Sequence, residues 1–420
     1  MTLDRLFLRC VSYTPDRDAV ATVDERYTYR DLSRCAASYK AAFTDAGLGA
    51  GDRLVALLDP GIEALASLCA CSQLGIIWTP VSPEDPPTRI QAIVDASSPG
   101  GVVSGADAAI LHDLRSRAAI GQLTPSGVRW LKPLPGARKA PAPRQVIDSD
   151  AAYIAFGSGE SRPLRGVVMT HGAACRLLQT LLLFNALPIG SIVASAAAVA
   201  SRLWILTAAT TLGNGGTIAV LPRSRWFRPR ELALYLESCG AHQLNAAPVI
   251  WEPLAYEAET ELKEIRTLSA LFSTGGPIRG DAARRLQLSC PDLRIMNAFG
   301  QSECLAYSFG DVTNPTRIEM VSIGRGCDGM ELLLLDADGR RVTTPRVPGE
   351  LYVRAASLFT GYWNDPVGTS EALTPHPLLP ETGERALRTG DVTYFDEEGD
   401  FFFCGRRDSL AVREVCGVTR

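Results

Sequence analysis

Apolar positions along this chain come in blocks whose period switches between helical and strand-like, and the blocks predict a regular alternation of elements. Tyr27–Leu32 leads into a helical pattern of roughly four turns, and the glycine-bearing stretch Gly47–Arg53 separates it from the apolar strand Leu54–Leu58. Ile62–Gly75, Ile76–Pro80, Pro87–Ala96 and Gly101–Ser104 continue the alternation of helix and strand. Such alternation predicts a largely parallel sheet flanked by helices. Lys132–Arg144 is crowded with prolines and basic residues and is expected to be a linker or surface loop.

From Tyr153 the alternation resumes. Strands are expected at Tyr153–Phe156 and Val167–Met169, with helices following to Leu183, a buried strand at Gly215–Leu221 and a helix at Glu231–Cys239. Leu244–Ala247, Leu268–Phe272 and Leu293–Met296 read as short strands, the last two leading into the glycine-bearing loops Ser273–Pro277 and Asn297–Glu303. Loops at the ends of parallel strands are where α/β sheets place ligands. Beyond Gly310 the period falls to two, at Glu331–Leu335, Glu350–Val353, Val392–Phe395 and Phe401–Phe403, with hairpin turns at Asp336–Gly339 and Asp396–Asp400. The expected fold class is therefore α/β: two α/β subdomains with largely parallel sheets, about 1–150 and 151–310, and a smaller β-rich subdomain over 311–404.

At 420 residues the chain is too long for one ordinary core, and 46% hydrophobic with 21% charged residues is ordinary for a globular enzyme. A net charge of −4 recruits neither nucleic acid nor an anionic membrane surface. No apolar run is long enough to span a bilayer, and Asp4 and Arg5 stand where a signal peptide needs apolar residues, so a cytoplasmic protein is expected. The 11 cysteines form no CxxC pair and are expected to be reduced. Lysine is confined to Lys40, Lys132, Lys139 and Lys263, which limits any mechanism that needs a catalytic lysine.

Five stretches carry candidate chemistry. Gly157–Gly166 is a Gly/Ser-rich turn between strands that can wrap phosphates with N–H groups and hydroxyls, although it lacks the Gly-Lys-Ser/Thr ending of a Walker loop. Asn297–Glu303 offers an aromatic face (Phe299), a flexible Gly300, a hydroxyl (Ser302) and a hard carboxylate (Glu303). Leu387–Asp391 places an acceptor-only carboxylate after a Thr-Gly turn, suited to the hydroxyls of a ribose. Gly349–Val353 with Gly361–Pro366 is expected to fold the β-rich subdomain, and Gly405–Asp408 puts Arg406 within reach of a ribose or phosphate. Each stretch taken singly is also an ordinary turn.

Taken in order, these stretches resemble the adenylate-forming superfamily of acyl-CoA synthetases, nonribosomal peptide synthetase adenylation domains and luciferases. The likeness runs from about Tyr27 to the last residues and corresponds to the family's N-terminal core. Asp85, Pro87 and Arg89 lean towards the peptide-synthetase branch, Gln301 and Gly361–Pro366 towards acyl-CoA synthetases. The resemblance implies ATP-dependent conversion of a carboxylic acid to acyl-AMP, then capture by the phosphopantetheine thiol of an acyl or peptidyl carrier protein, or by CoA. Under it, Glu303 would hold Mg²⁺, Ser302 would meet the α-phosphate, and Asn297, Ala298, Phe299 and Gly300, with Gly276, would line the adenine side. Asp391 would take the ribose hydroxyls with Arg406 assisting, and Ser158, Gly159 and Ser161 would close over the outer phosphates. The acid pocket would include Ala200, Trp204, Asn245, Ala246, Ser273, Gly275, Ala306 and Tyr307.

Three departures qualify the resemblance. Glu160, Arg162, Pro163 and Leu164 replace most of the family's phosphate loop, and Arg165 stands for its second lysine. Residues 405–420 look like the start of a hinge to a small C-terminal domain, so an excised core, or a shortened member that works weakly or with a small helper protein, is expected, with a catalytically impaired adenylation-like binding module as the alternative. No acid lies at Val199–Trp204, where amino-acid-activating domains carry an Asp for the substrate ammonium. A buried ammonium without a counter-charge is costly, which favours an aryl, fatty or β-amino acid in natural-product biosynthesis.

Overall fold

The structure is a computed structural model that describes residues 1–105, 111, 114–133, 141–142, 144–157, 164–185, 187–315 and 321–407. Ser158, Gly159, Glu160, Ser161, Arg162 and Pro163 of the expected phosphate loop lie outside the described residues, as do residues 408–420. The chain divides into two compact units, Met1–Pro222 with Tyr362–Asn364, and Arg223–Gly361 with Asp365–Arg420. The class is mixed α/β, with largely parallel sheets and a smaller antiparallel one.

In the first unit, one sheet runs in the order Gly166–Thr170, Ala151–Phe156, Ile77–Val81, Arg53–Leu57, Gly101–Ser104, Ala119–Thr124, Gly127–Lys132. Its centre is parallel and its outermost pairs are antiparallel. A second run joins Ile192–Ala196, Thr217–Val220 and Asp18–Ala21 in parallel, with Arg26–Thr28 antiparallel at the end. The helix Tyr29–Asp45 starts earlier than expected, inside Tyr27–Leu32, because Thr28 and Asp31 form a capping box that satisfies two N-terminal N–H groups. It buries Leu32, Cys35, Ala36, Tyr39 and Phe43, the one-sided spacing read from the sequence. Ile62–Leu74 is buried nearly all round and stops at Gly75, whose φ of 70° an L side chain resists.

Some elements carry too little local pattern to be read. Leu3–Leu8 is a short helix, and Ile192–Ala196, part of an Ala/Ser-rich stretch, is a buried strand. Gly127–Lys132, at the edge of the Lys132–Arg144 linker, is an edge strand. Tyr362–Asn364 was expected in the β-rich part but packs within the first unit. There Trp363 N–H donates to Gly166 O at 2.7 Å and its indole N–H to Ala96 O at 3.2 Å. Among the described residues nine cysteines are free, most of them buried.

In the second unit, Gln243–Ala246, Ala270–Ser273 and Arg294–Phe299 are parallel neighbours, and Ser308–Asp311 returns antiparallel to the last. The antiparallel sheet has the order Met330–Leu335, Gly349–Ala355, Arg385–Phe395, Leu373–Pro375, with Phe401–Arg406 also paired to Arg385–Phe395. Opposite Gly349–Ala355 the register slips: Glu350 faces Val392 while Tyr352 faces Arg388. Thr389, Gly390 and Asp391 therefore bulge out of the ladder, a distortion that re-aims a side chain.

Candidate active site

That bulge is what aims Asp391. Gly390 takes φ 68°, and a Cβ there would sit 3.1 Å from Arg406 Nη2, so the turn accepts glycine for both backbone and space. Thr389 Oγ1 donates to Leu351 O at 2.6 Å and accepts from Asp391 N at 3.0 Å, which pins the bulge to the neighbouring strand. Asp391 and Arg406 face one another across the antiparallel pair, and Arg406 Nη1 donates to Asp391 Oδ1 at 2.6 Å. The carboxylate is only 3% exposed.

Two residues of the expected nucleotide loop and pocket complete the cluster. Gln301 Nε2 donates to Asp391 Oδ2 at 2.9 Å and to Thr389 O at 2.8 Å, and Tyr307 Oη donates to Asp391 Oδ2 at 2.5 Å. Neither contact was read from the sequence. Gln301 stood there only as a marker of family branch and Tyr307 as a pocket wall. The partners are 90 and 84 residues apart in the chain, and no local signal spans that distance.

The loop itself is shaped by close backbone approach. A Cβ on Gly300 would lie 2.5 Å from Ala306 Cα, so Gly300 lets the loop close on its own return strand, and its φ is not in the left-handed region. Leu305, buried, takes φ 63°, a costly conformation for a bulky residue. Ser302 and Glu303 sit half-buried in the turn, and Glu303 O accepts from Phe359 N at 2.7 Å. Phe299 meets Tyr307 edge-on at 5.7 Å and tilts over Phe403 at 5.2 Å.

Strand register sorts the remaining candidates by face. Ala246 aligns with Ser273, and Ser273 with Asn297, at the carboxyl ends of adjacent parallel strands. Phe299, two residues on, shares the face of Asn297, whereas Asn245 and Ala298 point to the opposite side. Asn245 Oδ1 accepts from Gln243 at 2.6 Å, and Ser273 Oγ accepts from the Trp251 indole at 2.9 Å, so both polar groups serve the interior. Asn297 Oδ1 and Thr274 Oγ1 are buried with no hydrogen-bond partner. Orphaned buried polar atoms beside Phe299 fit a site that takes a polar, planar ligand. Gly275 (φ 102°) and Gly276 form the adjoining loop, where a Cβ on Gly276 would meet nothing closer than Pro248 at 3.8 Å.

In the first unit, Arg165 lies over the Tyr362 ring at 5.1 Å, and Arg89 Nη2 donates to Gly157 O at 2.5 Å. Trp204 is buried and stacks on Trp78 at 5.6 Å. Ala200 is half-buried in the turn before the helix Arg202–Leu212. Ser201 Oγ caps that helix by accepting from Trp204 N at 3.3 Å, so a short polar cap, not an acid, occupies Val199–Trp204.

A cleft of about 620 Å³ opens on the antiparallel sheet beside Glu331, Arg354 and Glu384. Its charges satisfy one another, Arg354 bridging Glu331 and Glu384 at 2.9 Å each, and it holds none of the groups above. Among the described residues no group of three or more His, Cys, Asp or Glu is placed to hold a metal. Glu303 as a single carboxylate fits Mg²⁺, which binds through one or two carboxylates together with substrate phosphates. Among the described residues no helix is long and apolar enough to cross a membrane.

Comparison with known proteins gives the chain's relatives. The crystal structure of IdnL1 is 35% identical, with a TM-score of 0.89 over 97% of this chain and 82% of that one. L-proline--[L-prolyl-carrier protein] ligase of Pseudomonas fluorescens is 24% identical over 406 residues, covering 94% of this chain and 77% of the ligase. Pyochelin synthetase PchF of Pseudomonas aeruginosa is 26% identical over 398 residues, covering 94% of this chain, which spans only 21% of that synthetase. With residues 7–363 matched by the AMP-binding enzyme model, the chain belongs to the AMP-binding enzyme family.

Proposed function

We propose that this protein is an AMP-forming ligase that activates a carboxylic acid with ATP and passes the acyl group to a carrier-protein thiol. The observation that carries the reading is the Asp391 cluster, a buried carboxylate aimed by a strand bulge, paired with Arg406 and joined to the Asn297–Glu303 loop. In this reading the acid's carboxylate oxygen bonds to the α-phosphorus as the bond to pyrophosphate breaks, giving acyl-AMP. A thiolate sulfur then attacks the acyl carbon and AMP leaves. The protein's part is to position and neutralise charge rather than to supply a nucleophile.

Asp391 and Arg406 would hold the ribose, the face with Asn297 and Phe299 would take the base, and Ser302 would meet phosphate oxygens. Mg²⁺, held by Glu303, would neutralise charge on the phosphates. Ala246, Gly275 and Ala306 are proposed for the acid pocket. The polar cap at Ser201, in place of a carboxylate, supports an acid without a recognised α-amino group, such as an aryl, fatty or β-amino acid. Similarity to a prolyl-carrier ligase and to pyochelin synthetase supports a carrier thiol and a natural-product setting.

Carboxylate-dependent exchange of pyrophosphate into ATP, run over a panel of aryl, fatty, β-amino and α-amino acids, tests this. Exchange with one of the first three classes is expected. Absence of exchange with every acid would sink the ligase reading, and exchange restricted to α-amino acids would overturn the substrate class. Offering CoA and a phosphopantetheinylated carrier to the formed acyl-AMP then separates the two acceptors.

A further inference from the structure

The turn that opens the second unit is the most basic stretch of the chain. Arg223, Arg225, Arg228 and Arg230 fall within a short run that holds no acid, in a protein whose net charge is −4. The two aromatics between them point in different directions. Trp226 is buried, and the Arg223 guanidinium lies over its ring at 5.2 Å, while Arg225 lies over the buried Tyr235 ring at 5.7 Å. Stacking on packed rings fixes where both cations stand. Phe227 turns outward and is 67% exposed.

Arg228 and Arg230 begin the helix Pro229–Ser238, with Arg228 at the N-cap and no side-chain cap there. Stability alone favours acids at that end, because the helix macrodipole is positive there. Arg228 meets Glu231 at 2.8 Å and Arg230 meets Glu261 at 3.7 Å, yet the two arginine side chains stay 64% and 76% exposed. Ion pairs this exposed are worth little and exchange readily for other carboxylates. The basic side chains stand on a turn and a helix end, and none lines the cleft beside Glu331. That geometry suits a protein face better than a small molecule, which is held in a concave site.

The proposed reaction brings one anionic protein to this enzyme. Phosphopantetheine is joined to its carrier through a phosphodiester, so the arm that delivers the thiol delivers a negative charge with it. We propose that Arg223–Arg230 is the docking surface for the carrier protein, its arginines meeting acidic groups on the carrier face that bears the arm and Phe227 seated in an apolar spot of that face. This rests on the ligase reading for the existence of a carrier, and on the contacts above for the rest. The cations speed and orient the encounter, and Phe227 holds the complex once formed.

The test is steady-state transfer from acyl-AMP to the phosphopantetheinylated carrier that accepts the acyl group, on the full chain, for the wild type, Phe227→Ala and the double variant Arg228→Gln with Arg230→Gln. These residues lie outside the groups assigned to ATP and to the acid, and the double variant takes two cations off the positive end of a helix. Pyrophosphate exchange should therefore stay within about twofold of wild type. At about 50 mM salt the double variant should raise KM for the carrier roughly tenfold with kcat little changed, and most of that difference should vanish near about 500 mM salt. Phe227→Ala should raise it roughly fivefold at both salt concentrations. Unchanged KM in both variants would overturn the docking surface and leave the ligase reading standing, as would transfer to CoA and to no carrier. If the double variant loses binding to single-stranded RNA or to phosphatidylserine vesicles while KM for the carrier holds, the patch serves another occupant and the proposal fails. A wild type without pyrophosphate exchange for any acid would overturn the ligase reading and the docking surface with it.

Discussion

Gly300 and Glu303 stand three positions apart in one loop and do different work there. A methyl group on Gly300 would collide with the backbone of Ala306 and Tyr307, at 2.5 and 3.0 Å, and backbone cannot swing aside as a side-chain tip can. Gly300→Ala is therefore expected to cost roughly 1–3 kcal/mol in urea unfolding, and to weaken ATP binding by displacing Gln301. Glu303→Gln keeps the shape and removes the charge. Under the proposed reaction it should leave stability within about 0.5 kcal/mol and lower pyrophosphate exchange by roughly a hundredfold. Full exchange with normal Mg²⁺ dependence would remove the metal role assigned to Glu303. His171 shows a residue whose effect is purely on folding. It is fully buried, its Nδ1 accepts from Leu3 N at 3.3 Å, and burial pushes its pKa down from 6.5 to about 4. The unfolded chain thus binds a proton that the folded chain refuses between those values. Stability is complete above pH 6.5 and falls as pH drops towards 4, by roughly 3 kcal/mol from this group alone. Denaturation midpoints of wild type and His171→Gln across pH 4–7 should show a shallower slope in the variant.

Elements here start and stop for local reasons but are held by distant ones. Thr28 Oγ1 accepts from Asp31 N at 3.1 Å, and Asp31 Oδ2 accepts from Thr28 N at 2.9 Å, so Thr28→Ala removes the hydroxyl half of the cap and leaves the backbone half in place. Thr28→Ala should cost about 1 kcal/mol, read as a shift in the urea midpoint with no change in slope. A change below a few tenths would mean that tertiary packing alone holds the helix. The existence of the helix Tyr29–Asp45 was legible, because its apolar face lies within a few turns of sequence, whereas its start lies inside Tyr27–Leu32, which was read as preceding it. The strand Ile192–Ala196 was not legible, because Ala and Ser carry weak strand preference and its burial on both faces erases the alternation. The bulge at Thr389–Asp391 was legible only as a Thr-Gly turn. Its effect on Asp391 depends on the register of Gly349–Ala355 and Phe401–Arg406, which no single strand encodes.

At the scale of the molecule, the order of motifs along the chain carried the family, because each motif is a short strand-to-loop junction whose residue types are dictated locally. That order, with the change from helical to two-residue period near Gly310, was enough for the α/β class and its antiparallel addition. It did not decide which side chains meet. Asn245 and Ala246 are adjacent in sequence yet face opposite ways, and Asn245 spends its oxygen on Gln243. Trp204 stacks on Trp78 in the core of the first unit, and Tyr362–Asn364 leaves its neighbours in the chain to pack there too. Composition, caps and periodicity act over one or a few turns, so the sequence by itself determined the elements and the kinds of group each loop would carry. Only the tertiary structure decided that Gln301, Tyr307 and Arg406 converge on Asp391. Contacts across 15 to 90 residues depend on sheet register and on a bulge, and both are settled only once the strands pair.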